Sequence, residues 1–324
     1  MTAFALPLAL RHRPLRPSDA ATWATLLAAA EAVDRTGQHY DAQDCAAELA
    51  DPELDRERDS VLVLDGERPV AAQVLWVLGP PGERVVHADG VVHPDDRGRG
   101  VGTALVELAR ARAEELGAQL HVRVAETTTG AVAMLERAGF VPRRWWTKLH
   151  RDLAEEVVPA PLPGGLRIHR LGPDYDAARW DPPLCAARNA TFADHYGSVP
   201  EEVAEFAHHR TGDRNFRADC SVAACTADGA VAGFVLAWEF AAATERTGRR
   251  DLYVATVGTL ARWRGRGLAG ALLAQVLLWA REVGCQTSSL TVDAANPTGA
   301  LGVYTRAGYR PHSRQVTYCP EPAR

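Results

Sequence analysis

Two short segments set paired arginines and glycines at the mouth of a helix: RGRGVG at Arg97–Gly102 and RGRGLA at Arg264–Ala269. The first N–H groups of a helix have no internal partner, and the helix dipole adds partial positive charge there. Glycine lets a ligand approach the backbone and permits positive φ. Arginine adds full charge. The chemistry this combination serves is the binding of a phosphate or pyrophosphate. Neither copy has the lysine of GxxxxGK[ST], so a P-loop is excluded. A Rossmann fingerprint follows the first strand of a βαβ unit, whereas these loops follow a hairpin and a later strand.

The elements that must position the loops also occur twice. ERAGF at Glu136–Phe140 matches TRAGY at Thr305–Tyr309, and LRPSDAATWATLLAAA matches HRLGPDYDAARWDPPLCAARNA. The copies lie a domain's length apart, too far for a solenoid repeat. Between them, Glu155–Gly165 (EEVVPAPLPGG) breaks helix and strand and reads as a linker. We place domains at residues 1–157 and 158–324. Each half reads as an opening strand (Leu166–Arg170 in the second), one or two helices, and a hairpin turning at Asp65-Gly66 or Asp228-Gly229. A further strand then runs into the Gly-Arg loop and a long helix. Leu105, Leu108, Ala109, Arg112 and Leu116 mark its 3.6-residue period, and Gly117 and Gly284 end the two helices. A strand, a helix ending at Gly139 or Gly308, and final strands complete each half. This mixture predicts an α/β (α+β, mixed-sheet) fold.

Composition narrows the class. The 324 residues are 47% hydrophobic and 24% charged, with a net charge of −5. These values fit a globular chain with no overall pull toward nucleic acid. Six scattered cysteines without a CxxC pair suggest reduced core thiols and no metal site. No apolar run approaches the ~18 residues of a membrane span, and the start lacks a signal-peptide pattern. The expected location is the cytoplasm. Tandem copies can satisfy a pairing surface internally, so monomer and homodimer both stay open.

In this context the loops resemble the [R/Q]xxGx[G/A] pyrophosphate motif of the GNAT acetyltransferases. Arg97, Gly100 and Gly102 fit it, as do Arg264, Gly267 and Ala269. The resemblance covers nearly the whole chain as two tandem GNAT-like domains, each a mostly antiparallel twisted sheet with a splayed strand pair flanked by helices. It implies acetyl-CoA (or CoA) as cofactor and acetyl transfer to the amine of a small molecule. Pantetheine would lie in the splay against Val257, Thr259 and Leu260. The pyrophosphate would sit on Arg264, Gly265, Arg266, Gly267, Leu268 and Ala269, with Asn296 as a further pantetheine ligand. The corresponding positions of the first half are Val92, Arg97, Gly98, Arg99, Gly100, Val101 and Gly102.

The same resemblance makes Tyr304 the proton donor to the leaving thiolate. Asp251 and Glu239 are candidate bases for the attacking amine. His195 and Tyr196 fall where the acceptor-lining loop is expected. Alignment through RAGF puts Leu135 and Thr127 at the positions of Tyr304 and Asn296. Leucine cannot donate a proton, so the first domain is expected to be non-catalytic and the second catalytic. Tandem members of the family include mycothiol synthase and antibiotic-modifying enzymes, and no residue pattern here selects either substrate. A CoA-binding sensor or subunit without chemistry is the alternative of another class.

Overall fold

The structure is a computed structural model that describes residues 10–193, 195, 198–295 and 299–321. Its contacts divide the chain into two units. One holds the residues up to Trp146 together with those from Ser313 onward, and the other holds Thr147–His312.

In the first unit β1 (Leu10–Arg13) leads to α1 (Ala20–Asp34), α2 (Ala42–Leu49) and the single turn α3 (Arg56–Asp59). The hairpin is β2 (Ser60–Asp65) and β3 (Arg68–Leu78), with Gly66 at φ 62° in its turn. Next come β4 (Val85–Val92), α4 (Val101–Leu116), β5 (Gln119–Ala125) and α5 (Thr129–Arg137). Strand β6 (Phe140–Asp152) passes from the first unit into the second at residue 147.

The second unit continues with β7 (Leu166–Arg170), α6 (Ala177–Phe192), α7 (Val203–Phe206), β8 (Val222–Thr226) and β9 (Val231–Trp238). Then follow α8 (Ala241–Thr247), β10 (Asp251–Thr259), α9 (Leu268–Glu282), β11 (Thr287–Asp293) and α10 (Ala300–Arg306). The last strand, β12 (Arg310–Pro320), pairs with β5 from Gln315 to Tyr318, within the first unit. No described helix is long and apolar enough to cross a membrane.

The strand order is β1-β2-β3-β4-β5-β12 in the first unit and β6-β11-β10-β9-β8-β7 in the second. Pairing is antiparallel from β1 to β4 and from β7 to β10, and parallel between β4 and β5 and between β10 and β11. This is the mixed sheet that the sequence predicts. In each unit both faces of the strands are buried. Trp23, Leu26 and Leu49 cover Leu62, Ala72 and Val74, while Val106, Ala109 and Leu135 pack with Leu75, Val86 and Leu120. In the second unit Leu272, Val276 and Leu277 pack with Val235, Leu252 and Val254, and Trp180 and Leu184 with Phe234 and Leu236. All six cysteines are free thiols, five of them buried.

A partly buried histidine pair in the first unit should make its stability pH-dependent. His87 and His121 are register partners on β4 and β5, with ring centroids 5.1 Å apart. Burial, with the nearby His121 and Arg123, pushes the His87 imidazole down to about 4. The unfolded imidazole takes up its proton near pH 6.5. Between about pH 6.5 and 4 the unfolded chain therefore binds more protons, and stability falls as pH falls. Denaturant melts at pH 7 and pH 5 should differ by about 1–2 kcal/mol from this group after allowance for partial solvent screening. His87→Phe should reduce that difference; an unchanged difference would remove His87 as its source.

Candidate active site

In the second unit the parallel pairing of β10 with β11 covers only Asp251–Tyr253 against Thr287–Ser289. The rest of β10, to Thr259, has no parallel partner among the described residues, although β11 runs on to Asp293. The two strands therefore splay. On its other edge β10 stays paired with β9, with one register shift between Val254 and Thr256. Such a bulge puts the extra residue, Ala255, out of the ladder and re-aims the strand. The first unit splays likewise: β4 pairs with β5 only over Val85–Ala88. Its β3–β4 register is unbroken from Leu78 to Ala71, so it has no bulge.

The loop after each splayed strand is the glycine-arginine segment. Gly265 and Gly267 have φ 72° and 81°, and Gly98 and Gly100 have 77° and 84°. These values lie in the left-handed region, which glycine enters without steric cost. A Cβ at any of the four would meet nothing within 4 Å, so the cradles are open above the backbone. Gly267 and Gly100 cap α9 and α4, where the first amides of the helix begin. Leu268 and Val101, the first residues of α9 and α4, are buried.

The second cradle also holds polar atoms without partners among the described residues. Thr259 Oγ1 and Trp263 Nε1 are buried and have no hydrogen-bond partner among the described residues. Burying such groups unpaired costs free energy unless a ligand satisfies them. Arg264 donates from Nε to Thr259 O at 3.1 Å and from a terminal nitrogen to Thr191 O at 3.4 Å. Arg266 lies over the Trp263 ring at 5.2 Å. Leu260 N donates to Ala232 O at 3.0 Å, which fixes the strand end where Val257 and Thr259 lie. The open loop and the amides at the start of α9 suit an anion. Trp263 has no place among the sequence-level candidates, yet its position just before Arg264 was the available signal.

Asp251 lies at the other end of β10. The Asp251 carboxylate accepts from Thr287 Oγ1 at 2.6 Å and from Ser289 Oγ at 2.5 Å, both on the paired strand β11. Tyr304, on α10, has its ring centroid 6.3 Å from that of Tyr309. Burial, with the nearby Tyr253 phenol, pushes Tyr304 up to about 12. Tyr309 shares a 2.7 Å hydrogen bond with Ser288, and its own pKa is raised by burial above all. Glu239 is placed differently. Arg250 grips it at 2.6 and 2.9 Å, and Arg217 pairs with it as well. A carboxylate held by two guanidiniums has fewer free lone pairs with which to accept an amine proton.

His195 follows α6; its N–H bonds Phe192 O at 2.9 Å, and its ring lies 4.5 Å from that of Phe192. Tyr196 and Asn296 lie outside the described residues. In the first unit Leu135, at the position of Tyr304, is 0% exposed and serves the core.

Two splayed strand pairs, each opening onto a glycine-arginine helix start, define an acyltransferase architecture built twice. The acetyltransferase (GNAT) family matches residues 24–140 and 186–309, and the chain belongs to that family. A mycothiol acetyltransferase of Tsukamurella paurometabola is 32% identical, over 78% of this chain and 90% of its own length. The crystal structure of a GCN5-related N-acetyltransferase from Sphaerobacter thermophilus superposes with a TM-score of 0.73 at 25% identity, covering 99% of this chain and 98% of that one. A tandem GNAT protein from the clavulanic acid biosynthesis pathway gives 0.75 at 20% identity, covering 97% and 100%. The chain is thus a tandem GNAT acyltransferase.

Proposed function

We propose that the chain is an acetyl-CoA-dependent N-acetyltransferase for the primary amine of a small molecule, with its chemistry in the second half (residues 158–324). The first half (residues 1–157) supports it. One observation carries this reading: β10 joins an open cradle at its end to Asp251 at its start and to Tyr253, which lies near the Tyr304 phenol, and the first half has Leu135 at the phenol's position. Arg264–Ala269 would hold the pyrophosphate, while Val257, Thr259, Leu260 and Asn296 would hold pantetheine. Bound there, acetyl-CoA supplies an activated acyl group. Asp251, fixed by Thr287 and Ser289, takes the proton of the attacking amine directly or through water. Tyr304, protonated throughout the neutral range, gives a proton to the leaving sulfur. The bulge at Ala255 leaves backbone outside the ladder, where an N–H can meet developing oxyanion charge. Of the two bases we favour Asp251, because Glu239 is committed to Arg217 and Arg250. His195 and Tyr196 would line the amine pocket.

The names of relatives make the amine precursor of mycothiol the first substrate to try, with amino sugars and aminoglycosides beside it. The purified chain should convert one of these to its acetyl derivative, detected by mass spectrometry, only when acetyl-CoA is present. Tight CoA binding with no product across the panel would instead favour the sensor reading.

A further inference from the structure

The two cradles share their backbone but not their electrostatics. In the first, Arg97 makes a two-pronged ion pair with Asp34, both contacts 2.7 Å. Arg99 donates to Asp65 at 3.0 Å and to Asp96 at 2.5 Å. Asp96 is 1% exposed and is gripped also by Arg68 at 2.7 and 2.8 Å. Both arginines of the first loop are therefore committed to carboxylates.

The second loop differs at each of these contacts. Where Asp96 precedes the first motif, Trp263 precedes the second, and Arg266 lies over its ring. Where Arg97 meets Asp34 near the end of α1, Arg264 meets the Thr191 carbonyl near the end of α6. The hairpin-turn aspartate of the second half, Asp228, bonds the Thr226 hydroxyl. Neither Arg264 nor Arg266 has a carboxylate partner among the described residues.

We infer that Asp34, Asp65 and Asp96 form an internal latch that occupies the arginines of the first cradle and keeps CoA out of it, so that the chain binds one CoA, at Arg264–Ala269. A pyrophosphate entering the first cradle would either lie beside three carboxylates or break charge-assisted pairs and strand them. Each carboxylate turned toward the site opposes a polyanion, and together they should weaken binding on the order of tenfold to a hundredfold relative to the second cradle. The inference rests on the proposal that the second loop is the CoA cradle.

Calorimetric titration of the full chain with CoA at physiological ionic strength should give one equivalent. Hydrogen exchange with saturating CoA should protect amides of residues 265–270 and leave those of residues 98–103 unchanged. Gly267→Glu should remove the equivalent. Adding Asp34→Asn and Asp65→Asn to that variant should restore binding, now with protection at residues 98–103. These two aspartates are chosen because Asp96 is buried and ion-paired twice, so its removal threatens folding. Two equivalents of similar affinity in the unsubstituted chain would overturn the latch and leave the acetyltransferase reading standing. Protection at both loops would do the same. No binding by the triple variant, with its fold intact by circular dichroism, would also overturn the latch. No CoA binding by the unsubstituted chain would defeat both proposals.

Discussion

Gly267→Glu should abolish acetyl-CoA binding and, with it, turnover. The residue caps α9 at φ 81°, and a Cβ there meets no protein atom within 4 Å. The new side chain would project into the open space where the pyrophosphate is placed, carrying a negative charge beside amides that favour anions. Any side chain at this φ also costs about 1–2 kcal/mol of backbone strain. Gly100→Glu controls for that term, because Gly100 has φ 84° and the same empty surroundings. Both proteins should melt at similar temperatures, while Gly267→Glu alone shows no heat of CoA binding. If Gly100→Glu loses turnover and Gly267→Glu retains it, the active half has been assigned to the wrong copy.

The repeated loop, the hairpin turns and the strand at Leu166–Arg170 are legible in the sequence because each depends on short-range chemistry. Glycines mark positive φ, Asp-Gly pairs mark turns, and apolar residues alternate or recur at helical spacing. What the sequence hides is long-range pairing. RAGF and RAGY reveal two equivalent helix-to-strand junctions. Yet local residues do not dictate that Gln315–Tyr318 pairs with β5 of the first unit rather than within the second. The latch is hidden for the same reason. Asp34 and Asp65 are distant from Arg97 and Arg99 in the chain, and only folding brings their carboxylates to 2.7 and 3.0 Å. Part of it lay in view: the two motifs share RGRG, but Asp96 precedes one and Trp263 the other. A comparison restricted to the motif passes over that change of charge. The support of Asp251 by Thr287 and Ser289 needs the β10–β11 register, which sets alternate residues of β11 against one carboxylate. Glu239 stands as an equal candidate until Arg217 and Arg250 are seen on it.

Tyr304→Phe should lower kcat on the order of tenfold to a thousandfold, with acetyl-CoA affinity nearly retained. Phenylalanine keeps the ring that packs against the second unit's core and removes only the hydroxyl. A loss confined to kcat therefore isolates a proton donated during the reaction from a contribution to packing or cofactor binding. The phenol's ionisation adds a second criterion. Because burial holds Tyr304 up at about 12, it remains protonated through pH 7–10 and can act as an acid across that whole range. An alkaline fall in kcat below pH 10 would have to arise from another group, whereas a fall near pH 8 that disappears in Tyr304→Phe would contradict the burial-raised phenol. Asp251→Asn should behave differently. It removes the proton acceptor while Thr287 and Ser289 keep hydrogen-bonding partners, so its defect should be smallest at high pH, where more of the amine is already neutral. Unchanged turnover in Tyr304→Phe would take that residue out of the mechanism and leave the leaving sulfur to be protonated by water or the substrate amine.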